Sequence, residues 1–434
     1  MTYFSDHSIR RMKLVGVGFL LFFFLYGVKF TFLPLFTSQL VALGVVTGLI
    51  FYSIERSDFI LKVDKSLQIV FSLWLIFFVW VLTLTVFTMF KDISLLTATF
   101  LFFIQVFIGS LFFGLWFFKE KYSFRDLMRI FQFIMLIQTV FIVIYFFSMD
   151  FKLLTIQYIP ETGNLSALHP FRSRGLTNGA GANLAAFQGT GMLITVYLIF
   201  KARSWKMTLF DVSALGLLAV SVILTGRTGM VIIPFILVFI TIYVIYTSRI
   251  SRKLLITAIL LPIIILSGFL IVETVYLTYL GGSTDTLAAL RRWALGEWES
   301  LFTSGESRTI NTLVNKHLFF PKDPLLLLIG DPTTYSLNRI SSDIGFVRRI
   351  FGTGIIGLSL IYSLVGLIFY LSVKRAPGML EKLFVLVLAV WIFFLEVKEP
   401  LLTDYRIASM YMIIFVYLCI APLQKINLFR FSSD

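Results

Sequence analysis

Long apolar runs separated by short polar stretches fill this chain from one end to the other. Because a helix needs about 20 apolar residues to cross the hydrocarbon core, twelve of these runs predict transmembrane helices. The seventh run, 211–225, is short for a full crossing, and a broken or tilted helix is the alternative for it and for the second run. The twelve runs begin near Lys13, Pro34, Leu67, Leu95, Ile130, Leu184, Asp211, Gly229, Leu254, Ile350, Leu383 and Tyr405.

Lysine and arginine set the predicted topology. Short basic clusters flank alternate connections between the runs, and such clusters mark the cytoplasmic side of a membrane protein. All of them fall on one side only if the spans number twelve and both termini are cytoplasmic. The clusters lie at 10–13, 56–65, 119–129, 201–206, 249–253, 374–382 and 425–430.

Composition agrees with a single all-α transmembrane domain over residues 1–434. The chain is 58% hydrophobic and 14% charged, which is more apolar than a soluble globular domain. Its formal net charge of +14 lies in clusters at helix ends instead of along one continuous polar surface, so nucleic-acid binding is not expected. The single cysteine, Cys419, excludes a disulfide within the chain.

Two connections on the predicted outer side, 150–183 and 274–349, are much longer than a helix hairpin needs. Long loops on a rigid scaffold commonly carry binding and catalytic residues. The second loop contains TDTLAALRRWALGEWESLF, whose apolar positions predict an amphipathic helix in the outer membrane–water interface. Thr303 and Glu306 then have capping-box spacing and predict a second short helix, which FFPKDP ends.

Arginines are the main candidate functional residues on this outer side, where the positive-inside tendency makes them unexpected. The guanidinium group is a planar fork of donors that suits phosphate. A ring of arginines at the mouth of a helical bundle therefore indicates a phosphorylated or pyrophosphorylated lipid headgroup. The alternative is that each arginine snorkels or pairs with a nearby acid. The candidates are Arg172 and Arg174 in HPFRSRGLTNGAGANL, Arg227 in ILTGRTGMV, Arg308 in SGESRT, Arg339 in SLNRIS, and Arg348 and Arg349 in DIGFVRRIFG.

Arg227 is the strongest single candidate, because the turn 226–229 between two apolar runs is too short to carry its charge far from the membrane. Glycines on both sides let backbone amides approach a ligand. A tight turn with a solvated arginine is the simpler alternative. The segment RSRGLTNGAGAN predicts an anion-binding concavity at a helix N-terminus, with loop flexibility as its alternative, and it lacks the spacing of a P-loop.

Asp343 is the candidate general base. It is close in sequence to Arg348 and Arg349 ahead of the tenth run, where it is placed to accept a proton from a hydroxyl. A helix N-cap and a salt-bridge partner are the alternatives. The charged residues at the outer ends of the last two runs are interpreted as a local ion-pair cluster; they are Glu396, Lys398, Glu399, Asp404 and Arg406.

Neither a metal nor another cofactor is predicted. The three histidines form no HxxxH pair, and no D-x-D occurs, so phosphate chemistry here has to depend on arginine. His169, beside Pro170, is the one histidine with a candidate role as a further contact, and a surface loop residue is its alternative.

Four of these segments, in their order along the chain, resemble the O-antigen polymerase and O-antigen ligase superfamily of bacterial membrane glycosyltransferases. The similarity covers about the second half to two thirds of the chain. It is a pattern of an arginine–glycine segment, an arginine turn after a span, and a large external loop that runs into the next helix. The segments are RSRGLTNGAGANL, LTGRTGMV, SGESRT and IGDPTTYSLNRISSDIGFVRRIFGTGIIGL.

The resemblance implies a GT-C-like, metal-independent, inverting glycosyltransferase of the bacterial inner membrane, with its active site on the periplasmic face. The donor is then an undecaprenyl pyrophosphate-linked oligosaccharide. By the resemblance, its pyrophosphate would contact Arg227, Arg308 and Arg174. The residues themselves, apart from the resemblance, add Arg172 as a pyrophosphate contact and Arg339, Arg348, Arg349 and His169 as further candidate contacts.

Two members of the superfamily and one other class of protein remain open as functions. A polymerase transfers the glycan to a lipid-linked repeat unit and has a chain-length regulator protein as a further expected partner, whereas a ligase transfers it to lipid A-core. The ligase branch has a histidine in the region of Asp343, which favours the polymerase, although the RX10G spacing of some polymerases is absent. A polysaccharide or lipid transporter is the alternative of another class, without support from an internal repeat.

Overall fold

The computed structural model describes residues 6–55, 64–161, 172–179, 181–247, 307–334 and 342–420, together with positions 270, 274, 303–304 and 340. Within these ranges the regular structure is helical, without strands. The prediction of an all-α, polytopic membrane protein is confirmed at this level by seven helices that are long and apolar enough to cross a membrane. They are Lys65–Phe87, Ser94–Lys119, Phe124–Phe147, Ala182–Lys201, Trp205–Thr225, Thr228–Thr247 and Gly345–Arg375.

Every predicted run except the ninth coincides with a described helix. The ninth run, near Leu254, lies outside the described residues, so the count of twelve spans stays a prediction. The helices are α1 (Asp6–Tyr26), α2 (Thr37–Glu55), α3 (Lys65–Phe87), α4 (Ser94–Lys119), α5 (Phe124–Phe147), α6 (Met149–Tyr158), α7 (Ala182–Lys201), α8 (Trp205–Thr225), α9 (Ile232–Thr247), α10 (Arg308–Thr312), α11 (Pro324–Ile329), α12 (Gly345–Arg375), α13 (Met379–Leu395) and α14 (Tyr405–Ile420).

The seventh run is an unbroken helix, so the broken-helix alternative is wrong there. α8 begins at Trp205, where the Ser204 side chain caps it by accepting a hydrogen bond from the Met207 N–H. The apolar pattern placed the start later because Asp211 interrupts it. That carboxylate is fully buried and pairs with Arg129 of α5, so its charge does not end the helix.

The polar residues at the helix ends fall at two opposite ends of the bundle, because successive helices run in opposite directions. At one end, which we call the basic end, Arg375 donates to Asp64 ahead of α3 and to the Cys419 carbonyl at the end of α14. Lys201 and Glu381 form an ion pair of 2.6 Å at the same end. Described members of two predicted cytoplasmic clusters, 201–206 and 374–382, thus lie at the same end. The opposite end, which holds residues 26–36, 172–183, 226–228 and 396–406, is called the site end.

The central helix of the bundle is α7. Its residues from Leu184 to Ile199 are all buried, and none of them is charged. Without a hydrophobic drive between helices in lipid, such a helix is held by close packing and by side-chain hydrogen bonds. Gln188 donates to the Tyr26 hydroxyl (3.1 Å) and Thr190 accepts from the Trp391 indole N–H (3.1 Å). The first turns of α7 are therefore held firmly in place, and they support the segments at the site end.

The GRTG turn packs directly against the first turns of α7. A short 3-10 helix, Arg227–Val231, links α8 to α9. A Cβ atom added at Gly229 would lie 2.2 Å from the Ala185 carbonyl oxygen, which is backbone and has no room to move aside. Only glycine allows the turn to approach α7 this closely. This contact determines where the backbone of Arg227 lies.

Part of the second long loop is anchored in the same way on α12. That helix is interrupted at Gly354, whose φ is +68°, and the Leu328 carbonyl at the end of α11 fills the space where a Cβ would be. The indole N–H of Trp80 donates to the Thr353 carbonyl (3.0 Å), which the interruption releases from the helical pattern. The loop segment 324–334 is thereby held against the first turns of α12.

Gly229→Ala should destabilise the folded protein by about 1–3 kcal/mol, because the added methyl group forces the turn away from Ala185. Thermal unfolding of the purified protein, followed by size-exclusion chromatography of the heated samples, measures the change. Gly44→Ala in α2 is the matched control, since nothing lies within 4 Å of its added Cβ and alanine favours helix. Equal melting temperatures for the two variants would contradict the close contact.

Candidate functional site

Segments that are far apart in the sequence meet at the site end. The arginine–glycine segment, the GRTG turn, the start of α7, the start of α12 and the connection between α13 and α14 form one continuous hydrogen-bonded surface. The bonds run from Ser173 N to Leu224 O (2.8 Å), from Lys398 Nζ to Thr228 Oγ1 (2.8 Å), from Asn183 Nδ2 to Asp404 Oδ2 (2.9 Å) and from Gly345 N to Glu396 O (3.0 Å).

The loop that carries Arg174 is tightly held. The Ser173 hydroxyl donates to the Ile142 carbonyl (2.6 Å), and the Gln138 amide donates to the carbonyl of Arg174 (3.1 Å). Asn178 exchanges two hydrogen bonds with the backbone of Lys29, of 2.7 and 3.0 Å. These bonds hold residues 173–178 in place. The loop-flexibility alternative concerned Gly179 and Gly181, which these bonds do not test.

Arg174 itself is 1% exposed. One of its nitrogens, Nη2, donates to the Ile159 carbonyl (2.9 Å), and the guanidinium group lies over the Tyr145 ring. Within the described part of the chain, its Nε and Nη1 have no hydrogen-bond partner and no carboxylate forms an ion pair with it. A buried cation without a counter-charge attracts an anion. The loop covers this guanidinium, and its contact with pyrophosphate stays a prediction.

Arg349 has the arrangement that the ion-pair alternative predicts. It is 7% exposed, its Nε donates to Glu396 Oε1, and its Nη2 donates to the Thr403 hydroxyl (3.0 Å). The second Glu396 oxygen accepts the N–H of Leu402 (2.9 Å). Both charges are thus compensated within the protein, and the pair fastens α12 to the connection after α13. A role for Arg349 in contacting substrate stays a prediction.

Asp343 is more than half exposed, as a general base needs to be if it meets a substrate hydroxyl. Its carboxylate lies 3.7 Å from His317 Nε2 and 3.7 Å from Arg348 Nη2. Its own N–H donates to His317 Nδ1 (3.1 Å). The N-cap alternative is wrong, because α12 has Ile344 at that position and no side-chain cap.

His317, which lies 26 residues before Asp343, has no role predicted from the sequence. Its backbone carbonyl accepts the Ser342 hydroxyl (2.7 Å), and this bond brings the two segments together. No motif or spacing signals the contact, because it forms between a short π-helical turn, Leu313–His317, and the residues that precede α12. The pair His317 and Asp343 joins two groups able to carry a proton.

Glu399 was also missed, since the sequence placed it in a local ion-pair cluster. Glu396 does form an ion pair, but in the described residues the Glu399 carboxyl has no hydrogen bond and no ion pair. Burial and the negative charge of Asp343 raise the pKa of Glu399 to about 7, although the charges of Arg348 and Lys398 partly oppose this. A carboxyl with a pKa near the operating pH suits general acid–base catalysis.

The remaining predicted residues are placed less completely. Arg172 is half-buried at the start of the described loop segment. The backbones of Arg227 and Arg308 open a 3-10 turn and α10, and their side chains are outside the described atoms. Arg339 and His169 lie outside the described residues, as do Glu306 and the predicted amphipathic helix before Thr303.

The predicted second short helix is present, with a different cap. α10 begins at Arg308, and the Ser307 hydroxyl accepts the N–H of Ile310 (3.0 Å). Thr303 is itself helical, so it does not have the N-cap role that its spacing from Glu306 predicted. The helical stretch ends at His317, ahead of FFPKDP as predicted.

Comparison with protein-family models, curated proteins and solved structures finds no match. The resemblance to the polymerase and ligase superfamily therefore stays a hypothesis. Across the described ranges, no three His, Cys, Asp or Glu side chains are grouped so as to hold a metal ion. The candidate site is defined by its arginines, by the His317 and Asp343 pair, and by Glu399.

Folding stability should fall as the pH rises from 5 to 8, and Glu399 is the reason. Its folded-state pKa of about 7 lies above its ordinary value of 4.5, so the folded protein holds the proton more tightly than the unfolded chain does. The stability gained below pH 4.5 is then lost as the pH passes through 7. Unfolding curves at several pH values measure this loss.

Glu399→Gln should remove most of this pH dependence. At pH 8 its free energy of unfolding should exceed that of the parent by about 2 kcal/mol, which is less than the full pKa shift gives because Glu399 is partly exposed to solvent. At pH 5 the two proteins should differ little. Asp150→Asn, which removes an exposed carboxyl at the start of α6, is the control and should keep the parental slope. Parallel curves for parent and E399Q would show that Glu399 is an ordinary surface acid.

Arg349→Gln should destabilise the protein by about 3–5 kcal/mol, because it leaves the Glu396 carboxylate buried without its partner. Glu396→Gln should do the same for the reverse reason. The double variant should lose much less than the sum of the two single losses. Unfolding free energies of the four proteins give the coupling, and additive losses would mean that the two charges do not interact.

Proposed function

We propose that this protein is a surface-polysaccharide polymerase of the bacterial inner membrane, which transfers a glycan from undecaprenyl pyrophosphate to a lipid-linked repeat unit. One observation carries the proposal: the arginine–glycine segment, the GRTG turn and the DIGFVRR segment converge at one end of a polytopic bundle. These are the segments that carry the resemblance. Their convergence is what a single active site requires. The sequence predicts only that they share the outer side, and the hydrogen bonds between them are the additional support.

The chemistry follows from the charges at this end. The acceptor hydroxyl oxygen attacks the anomeric carbon, and the bond from that carbon to the pyrophosphate oxygen breaks with its electron pair. Arg227 and Arg308 stabilise the charge that develops on the pyrophosphate. Asp343 takes the hydroxyl proton, and His317 lies beside it to pass the proton on. Glu399, whose pKa is raised by burial and in part by the charge of Asp343, is a second group able to hold a proton at this end. Attack from the face opposite the leaving group inverts the anomeric configuration.

The proposed topology has twelve spans, both termini in the cytoplasm, and the site end in the periplasm. The gathering of Arg375, Lys201 and their partners at the basic end supports it, because clusters from separate connections occupy the side that the positive-inside tendency assigns to the cytoplasm. The lipid-linked donor then reaches the arginines from the outer leaflet.

Ligation of the glycan to lipid A-core is the second candidate, and His317 favours it. The ligase branch has a histidine in the region of Asp343, and here a histidine from another segment lies beside that residue. A deletion strain separates the two functions. Single repeat units on the core indicate a lost polymerase, whereas unmodified core with accumulated lipid-linked polymer indicates a lost ligase.

Transport is less well supported by the buried charges. Asp211 and Arg129 form a buried pair, but both lie within two turns of the helix ends at the basic end. A transporter needs such groups near the bilayer midplane, along the path of its substrate. Polymer formation by the purified protein in detergent, with no bilayer to cross, would exclude transport as its activity.

Arg227→Ala and Arg308→Ala should each reduce long glycan chains on cells at least about tenfold while leaving the protein level normal, because an unpaired developing charge costs about 2.7–4 kcal/mol in comparable sites. Gel analysis of surface glycan from a deletion strain that expresses each variant measures this. Arg203→Ala, an exposed arginine at the basic end, is the control. Parental chain lengths in both site variants would refute the pyrophosphate assignment.

A further inference from the structure

A cavity of about 340 Å³ lies beside the candidate site, between α3, α4, α12 and the start of α14. It extends from the site end towards the middle of the bundle. Its volume is within the range of small-molecule sites, about 300–1,000 Å³. Its upper wall includes Arg349, Thr403 and Asp404, and its lower wall includes Trp74, Phe102 and Gln105.

The charges at the upper wall are already compensated. Arg349 pairs with Glu396, as described above. The Asp404 carboxylate accepts hydrogen bonds from the Asn183 amide (2.9 Å) and from the N–H of Arg406 (3.1 Å), and the Arg406 guanidinium group interacts with it electrostatically. A ligand that enters here meets hydrogen-bonding groups without a surplus of either charge. This wall suits a neutral ligand better than a phosphate.

Two hydrogen-bonding side chains in the lower wall have no hydrogen-bond partner in the part of the chain that the structure describes. The indole N–H of Trp74, which is 4% exposed, lacks an acceptor, and the Gln105 amide, 8% exposed, makes no hydrogen bond to any described residue. Both lie near the middle of candidate membrane spans, where an unsatisfied polar group costs several kcal/mol. Gln105 belongs to the π-helical turn Phe103–Ile108, and such turns frequently occur at functional sites.

We propose that this cavity binds a neutral sugar, and, if the proposed function holds, that it is the subsite for the acceptor glycan. Sugar hydroxyls accept from an indole N–H and both accept from and donate to an amide, so a sugar satisfies Trp74 and Gln105 together. The rings of Phe77 and Tyr405 supply apolar surface in the same lining. The Trp74 ring stacks on Phe103 (4.1 Å) and Phe78 (5.3 Å), so its contribution is the indole N–H and not a ring face. A hydrocarbon chain would fill the apolar space but leave both polar groups unpaired.

Cysteine protection tests this binding without any turnover. The chain has one cysteine, Cys419, which is fully buried, so the parent protein in lipid nanodiscs provides the background labelling by a small methanethiosulfonate reagent. Thr99→Cys places a thiol in the cavity wall. Maltose, lactose and diacetylchitobiose are the sugar probes, and farnesol is the hydrocarbon probe. At least one disaccharide should slow the labelling of T99C several-fold, and farnesol should not.

Two further variants assign the effect to the unpaired groups. Trp74→Phe and Gln105→Leu keep an aromatic ring and a similar volume but remove one hydrogen-bonding group each. In the T99C background, each should raise the sugar concentration needed for protection about three- to tenfold, the value of one neutral hydrogen bond. Lys91→Cys, at an exposed position in the connection between α3 and α4, is the control, whose labelling the sugars should not change.

The results that overturn the proposal are separate from those that overturn the polymerase function. Protection by farnesol alone, or by none of the four probes, would mean that the cavity is not a sugar site. Sugar protection that W74F and Q105L leave unchanged would also overturn it, because the two groups would then have no part in binding. Each of these outcomes is readable whether or not the Arg227 and Arg308 variants abolish polymer.

Discussion

Charge inside a membrane bundle has to be compensated there, because no water is present to solvate it. This constraint accounts for the buried ion pairs of the structure. Carboxylates and cations from different helices meet as pairs, and each pair joins two elements that are distant in the sequence. The pairs are Arg129 with Asp211, Lys201 with Glu381, Arg349 with Glu396, and Arg375 with Asp64.

The groups that depart from this rule are the most informative ones. Arg174 is buried without an acid beside it among the described residues, and the Glu399 carboxyl has neither a donor nor a cation bound to it there. Both lie at the site end. Trp74 and Gln105 show the same departure for neutral groups in the adjoining cavity. Perturbed or unpaired polar groups of this kind cluster at functional sites, and this is why the proposals above are built on them.

Helix α7 connects this electrostatic pattern to the geometry of the site. Its buried, uncharged surface holds the GRTG turn through the contact of Gly229 with Ala185, and its first residues include Asn183, which binds Asp404. The loop of Arg174 is fastened to α5 and to the end of α8. Each candidate segment is therefore positioned by backbone contacts with rigid helices, and this suits electrostatic stabilisation by groups that do not move during the reaction.

The hydrophobic pattern by itself determined the fold class, the approximate starts of the helices and the division of basic residues between two ends, because each of these depends on whether a residue is in lipid or in water. Arginine and glycine content also marked the loops of the candidate site. Three features required the tertiary structure: the neutralisation of Arg349 by Glu396, the approach of His317 to Asp343, and the isolation of Glu399. Each depends on which segments touch, and partners 26 to 47 residues apart in the sequence carry no local signal of their contact.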